Sequence, residues 1–196
     1  MYGIVGDVEA STGYHEAYII LNGRTQVGVG GGVCQVSTTL YRTALNSGLP
    51  IIERHPHAYR VGYYEQNSKA GVDASVYFPS SDLKFKNDTS AYLLIQRKID
   101  SKSSTLIFEI YGTSDGRMTK ITDPVISNQV PPPEPLYQDD PTLPKGQTKQ
   151  VDFAAWGADT YFTRTVSRGG EALIKETVST HYKPWRAIYL VGTKEG

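Results

Sequence analysis

The apolar positions change period several times along the chain, and each change predicts an element. Residues 17–21 form a short apolar run closed by Asn22-Gly23, a strong turn signal, which predicts a strand at Ala17–Leu21. Between Gln35 and Ser47 the period lengthens: Val36, Leu40, Ala44 and Ser47 share one face, with Tyr41 and Leu45 beside them. That spacing predicts an amphipathic helix. Gly48 supplies a left-handed stop and Pro50 forbids continuation. The period then shortens to two. His57, Tyr59, Val61 and Tyr63 alternate along a predicted strand at His57–Tyr64, followed by strands at Val72–Phe78, Ala91–Lys98 and Thr105–Tyr111. The polar links Asn67-Ser-Lys-Ala-Gly71 and Asp100-Ser-Lys-Ser-Ser104 are short, which favours antiparallel pairing. The fold class expected for this half is α+β, a helix packed on an antiparallel sheet.

Val130-Pro-Pro-Pro-Glu-Pro135 interrupts the pattern, because such a run favours extended polyproline II and lacks ladder donors. Beyond it lie short β-patterned runs at Lys149–Ala154, Thr160–Val166, Ala172–Thr180 and Ala187–Val191, with Arg168-Gly-Gly170 as a turn. The expected division is a first domain at 1–128, a linker at 129–135 and a small all-β module at 136–196, the two halves folding separately.

Composition narrows the class. Twenty basic residues balance 20 acidic ones, which argues against bulk binding to nucleic acid or to an anionic membrane. No apolar run approaches the roughly 18 to 20 residues that span a bilayer. No signal peptide is visible at Met1-Tyr-Gly-Ile-Val-Gly-Asp7. A single cysteine rules out an internal disulfide.

That cysteine carries the chemistry. In Gly28-Val-Gly-Gly-Gly-Val-Cys-Gln-Val-Ser-Thr-Thr-Leu-Tyr41 a glycine-rich turn runs into Cys34 at the predicted helix start. Unsatisfied N–H groups and the helix dipole favour a thiolate there, and the glycines let a substrate approach. His57 opens the next predicted strand, and Asp73 lies near the start of the one after. Brought together, Cys34 would attack a carbonyl carbon, His57 would take and return the proton, and Asp73 would orient the imidazole. Gln35 or the N–H groups of the helix start would hold the oxyanion. Turn, helix, strand, strand is an order that resembles the core of transglutaminase-like and papain-like enzymes. The competing reading makes Cys34 a packing residue and the chain a non-catalytic binding module. A phosphate cradle at Gly28–Gly32 lacks the Gly-Lys-Ser/Thr of a P-loop, and Cys34, His55 and His57 do not match a structural zinc pattern, so neither metal nor cofactor is expected.

Gly30-Gly-Gly-Val-Cys-Gln-Val-Ser-Thr-Thr-Leu-Tyr41, Glu53-Arg54, His57, Gly71-Val-Asp-Ala-Ser-Val76 and Asp82-Leu-Lys-Phe-Lys-Asn87 together resemble the signature of the VanW family. Its motif positions fall on Gly31, Gly32, Cys34, Gln35, Ser37, Arg54, His57 and Asp73. Cys34, His57 and Asp73 are the catalytic candidates of the residue reading, and the other five are expected to bind substrate; the resemblance itself hands over no reaction. The family usually has a small hydroxyl residue after the motif histidine, where this chain has Ala58. The resemblance implies a bacterial envelope setting. Asp140-Pro141, Gly146, Gly157, Gly170, Glu176, Pro184 and Val191-Gly-Thr-Lys194 resemble the G-five domain, a small β module of extracellular bacterial proteins thought to bind amino sugars or act as a spacer. Both resemblances imply a place outside the membrane, with peptidoglycan or another wall glycan or peptide as partner.

Overall fold

The computed structural model describes residues 1–21, 24–66, 68–77 and 79–195. The expected Asn22-Gly23 turn lies outside the described residues. In chain order the elements are α1 (Tyr2–Val5), β1 (Glu16–Leu21), β2 (Arg24–Val29), α2 (Val33–Asn46), β3 (Ile51–Glu53), β4 (Lys84–Phe85), β5 (Leu94–Asp100), β6 (Thr105–Tyr111), β7 (Met118–Ile121), β8 (Val125–Val130), β9 (Leu136–Pro144), β10 (Thr148–Asp152), β11 (Gly157–Arg168), β12 (Glu171–Tyr182) and β13 (Ile188–Lys194).

The expectation of a helix packed on one antiparallel sheet, transglutaminase-like or papain-like, is corrected. Strand takes up 47% of the chain and helix 13%, and the strands form several small sheets. β1–β2, β3–β4 and β5–β6 are two-stranded antiparallel pairs. β7 and β8 both pair with β11, which also forms a long hairpin with β12. β10, β13 and β9 make a separate three-stranded sheet, in which β13 and β9 run parallel.

The physical reason for the correction lies in two stretches predicted as strands. Residues 57–61 alternate, but their polar groups bond outside any ladder. The His57 N–H donates to the Asp73 carboxylate at 2.8 Å, and the Ala58 carbonyl accepts from the Lys183 N–H at 2.9 Å. Residues 62–65 then turn as a 3₁₀ helix. The stretch 72–77 makes only single bridges, His55 to Ser75 and Tyr77 to Ser81. Helix α2 takes the place of a neighbouring strand. Thr38 Oγ1 accepts from the Ala74 N–H at 3.0 Å and donates to the Ala74 carbonyl at 3.2 Å, and Ser37 Oγ also donates to that carbonyl. The buried stripe of α2 therefore runs through Ser37, Thr38, Tyr41, Ala44 and Leu45, one residue round from the purely apolar face.

Tyr41, Leu45, Ala74, Leu83 and Phe162 form one core cluster, so β11 and α2 share an interior. Arg164, fully buried, donates to the Leu49 carbonyl at 3.0 Å and lies 2.7 Å from Glu176 Oε1. It places a cation at the C-terminal end of α2, where the helix dipole favours positive charge. Gly48 has φ +73°, and a Cβ there would meet Thr119 Oγ1 at 2.8 Å and Val166 Cγ1 at 3.0 Å. The helix stop is thus also a close approach to β7 and β11. Strands on both sides of the 129–135 run meet in one sheet.

Candidate functional site

Helix α2 begins two residues earlier than its apolar period suggests. Gly32 is the N-cap at φ +88°, a left-handed conformation that glycine reaches without steric cost, and Cys34 is the second helical residue. The Val33 N–H donates to Gly30 O, while those of Gln35 and Val36 donate to Gly32 O. The Cys34 N–H belongs to the first helical turn, where amides have no intrahelical acceptor.

The half-buried Cys34 thiol is close enough to the His57 ring for the two to be electrostatically coupled. It also lies 3.6 Å from the Val76 carbonyl, to which it donates while protonated. His57 Nδ1 is 2.6 Å from Asp73 Oδ2, so the other ring nitrogen is the one left for sulfur. The Asp73 carboxylate is held on all sides. Oδ2 takes the His57 ring and its backbone N–H, and Oδ1 takes Arg54 Nη2 at 3.1 Å and the Tyr182 hydroxyl. Tyr64 stacks on the imidazole with ring centroids 4.7 Å apart. His55 instead pairs with Glu53 at 3.1 Å.

The electrostatics follow. Burial pushes the Cys34 thiol up, but the hydrogen bond and charge of His57 outweigh it and hold the pKa below the ordinary value. Burial pushes His57 down, yet its bonds to Asp73 and Cys34 raise it to about 9. Burial also pushes Asp73 up, against the His57 bond and the Arg54 charge, and the net value falls to about 2. The arrangement supports a thiolate beside an imidazolium oriented by a carboxylate.

Cys34, His57 and Asp73 are thus in one chain of contacts, while the five other candidates divide. Gly31, Gly32 and Gln35 line a cleft of about 600 Å³ over the start of α2, closed in part by Tyr63, Tyr64 and Leu106. Gly31 also lies tight against Ala17 of β1, leaving no room for a Cβ. Ser37 is turned away into the core, bonded to the Cys34 and Ala74 carbonyls. Arg54 is committed to protein groups: the Gly71 and Asp73 carbonyls, the Asp73 carboxylate and Thr180 Oγ1. Its role is to fix Asp73. Sequence reasoning missed Tyr64, Thr180 and Tyr182. Nothing local marks them, since a tyrosine or threonine in an alternating β run reads as ordinary core.

Comparison with known proteins agrees on the family. The family described as VanW like protein matches residues 1–111. The uncharacterized protein YoaR of Bacillus subtilis (strain 168) is 34% identical over 120 residues, which is 60% of this chain and 38% of that protein. The Vancomycin B-type resistance protein VanW of Enterococcus faecalis (strain ATCC 700802 / V583) is 33% identical over 101 residues, 50% of this chain and 36% of that protein. The alignments with these relatives thus span little more than a third of their length. Among solved structures, the IgA1 protease G5 domain covers 43% of this chain and 100% of its own, at 20% identity and a TM-score of 0.26. The HP0197-G5 structure covers 39% and 97%, at 18% identity and a TM-score of 0.19.

Proposed function

The chain belongs to the VanW family, and from that premise we propose that it is a bacterial cell-wall protein whose Cys34 carries out acyl transfer on peptidoglycan stem peptides. The observation that supports this reading is the contact chain from Cys34 through His57 to Asp73, with Nδ1 and Oδ2 2.6 Å apart. The Cys34 thiolate attacks an amide carbonyl carbon, and the C–N bond breaks as the His57 imidazolium gives its proton to the leaving amine. The product is a thioester on Cys34. An incoming amine or a water then attacks that thioester, His57 takes its proton, and the thiolate leaves, giving transpeptidation or hydrolysis respectively. The Cys34 N–H would receive the oxyanion, since those of Val33, Gln35 and Val36 already donate to the Gly30 and Gly32 carbonyls. The C-terminal strands would space or tether the site at the wall, as the G-five resemblance implies.

The test is intact-protein mass spectrometry after incubation with a purified disaccharide stem peptide. The expected result is a mass gain equal to the peptide less its leaving group, located at Cys34 and absent in Cys34→Ala. No adduct, together with an ordinary thiol titration of Cys34, would overturn the enzyme and leave wall binding as the function.

A further inference from the structure

The acyl-transfer reading takes its groups from the first 111 residues, yet the Asp73 carboxylate is completed from the other end of the chain. Tyr182 is the last residue of β12 and only 2% exposed. Its hydroxyl donates to Asp73 Oδ1 and accepts the Gly71 N–H at 3.0 Å. Two residues earlier on the same strand face, Thr180 Oγ1 accepts Arg54 Nη1 at 2.8 Å. Arg54 is the other donor to Oδ1. Each side-chain hold on that oxygen is therefore made or braced by β12, while Oδ2 is the atom that holds the His57 ring. Burial and the nearby Asp73 charge raise the Tyr182 pKa, so the hydroxyl keeps its proton and remains a donor.

We propose that Tyr182 is a positioning residue for the Cys34 site: it locks the Asp73 carboxylate and, through it, the orientation of His57, so that β12 is part of the site. This inference rests on the acyl-transfer reading only for its consequence in turnover. Its structural content concerns Asp73 and His57 alone. The groups that face His57 are Cys34, Asp73 and Tyr64, with Arg54 and Tyr182 behind Asp73. Among the described residues, removing the Tyr182 hydroxyl leaves Arg54 as the only side-chain hold on Oδ1. The carboxylate then gains a rotation, and the imidazolium loses part of its partner.

The experiment is Tyr182→Phe in the full chain, which keeps the ring. Proton NMR follows the His57 Nδ1–H in its bond to Asp73 and the titration of the ring, and thermal melting is measured in parallel. The expected variant melts within a few degrees of the parent, loses or broadens the Nδ1–H resonance, and lowers the His57 titration by about half a unit or more. Cys34 alkylation by iodoacetamide at pH 7 slows roughly three- to tenfold. If Tyr182→Phe does not fold, Thr180→Val, which releases Arg54 from the same strand, is measured in the same way and should weaken the same resonance. An unchanged Nδ1–H resonance and an unchanged or raised His57 titration in a folded variant would overturn the proposal. The two readings separate cleanly: positioning is judged on the His57 signals, and catalysis on whether the parent chain forms an adduct at Cys34.

Discussion

At the scale of single residues the site is a short ladder of charge. His57 keeps its proton to about pH 9, and the Cys34 thiolate forms below the ordinary thiol value. The thiolate–imidazolium pair therefore exists between the two pKa values. It is lost by thiol protonation as pH falls and by imidazole deprotonation as pH rises. His57→Ala removes the cation, so the midpoint of iodoacetamide alkylation against pH should move up by about a unit or more. His55→Ala, which loses only the Glu53 contact, should leave that midpoint in place; a shift confined to His55→Ala would reassign the partner. Asp73 acts at the other end of the scale. Its pKa is depressed from 3.8 to about 2, so its stabilisation is present above 3.8 and is lost as pH falls toward 2. Denaturant midpoints taken between pH 5 and pH 2 should fall more steeply for the parent than for Asp73→Asn. The difference should be at most on the order of 2 kcal/mol. Parallel acid limbs would mean that Asp73 has an ordinary pKa.

At the scale of elements, helix α2 does two jobs. Its first turn presents Cys34, and its buried polar stripe replaces a neighbouring strand for residues 72–76. Its far end is anchored by Arg164, whose guanidinium meets the Leu45 and Leu49 carbonyls. Arg164→Met keeps much of the volume and removes the donors. It should lower stability by roughly 3 kcal/mol in denaturant unfolding, because the Leu49 carbonyl loses a donor and Glu176 its cation. A loss below about 0.5 kcal/mol would show that water replaces the guanidinium without cost.

At the scale of the whole molecule the two halves interlock. Phe162 enters the cluster of Tyr41 and Leu45, β7 and β8 pair with β11, and Tyr59 stacks on Trp185 with centroids 4.5 Å apart. A chain ending at residue 128 would leave β7 and β8 without their partner and the core cluster without Phe162. We expect it to lack a cooperative melting transition by circular dichroism and its Cys34 to alkylate as an ordinary thiol. A cooperative melt with the parent's alkylation profile would instead establish 1–128 as a self-sufficient unit.

The amino-acid order was enough for what depends on neighbours in the chain. The glycine turn into α2, the stop at Gly48, the β6 strand, and the β11–β12 hairpin around Arg168-Gly-Gly170 are local consequences of period and backbone freedom. So is the placing of Cys34 at a helix start. Period-two alternation at 57–64 and 72–78 misled because alternation records which side chains are buried and says nothing about which group satisfies the backbone. Here the satisfying groups are Thr38 hydroxyl, Asp73 carboxylate and the Lys183 amide. These partners lie 16 to more than 100 residues away. The same distance hides Tyr182 and Thr180, since no short spacing links β12 to Asp73. Folding alone decides that Arg54 braces a carboxylate, that Ser37 faces the core, and that the last strand of a hairpin closes the site around Cys34. Buried polar groups must find partners wherever the packed chain brings one within reach.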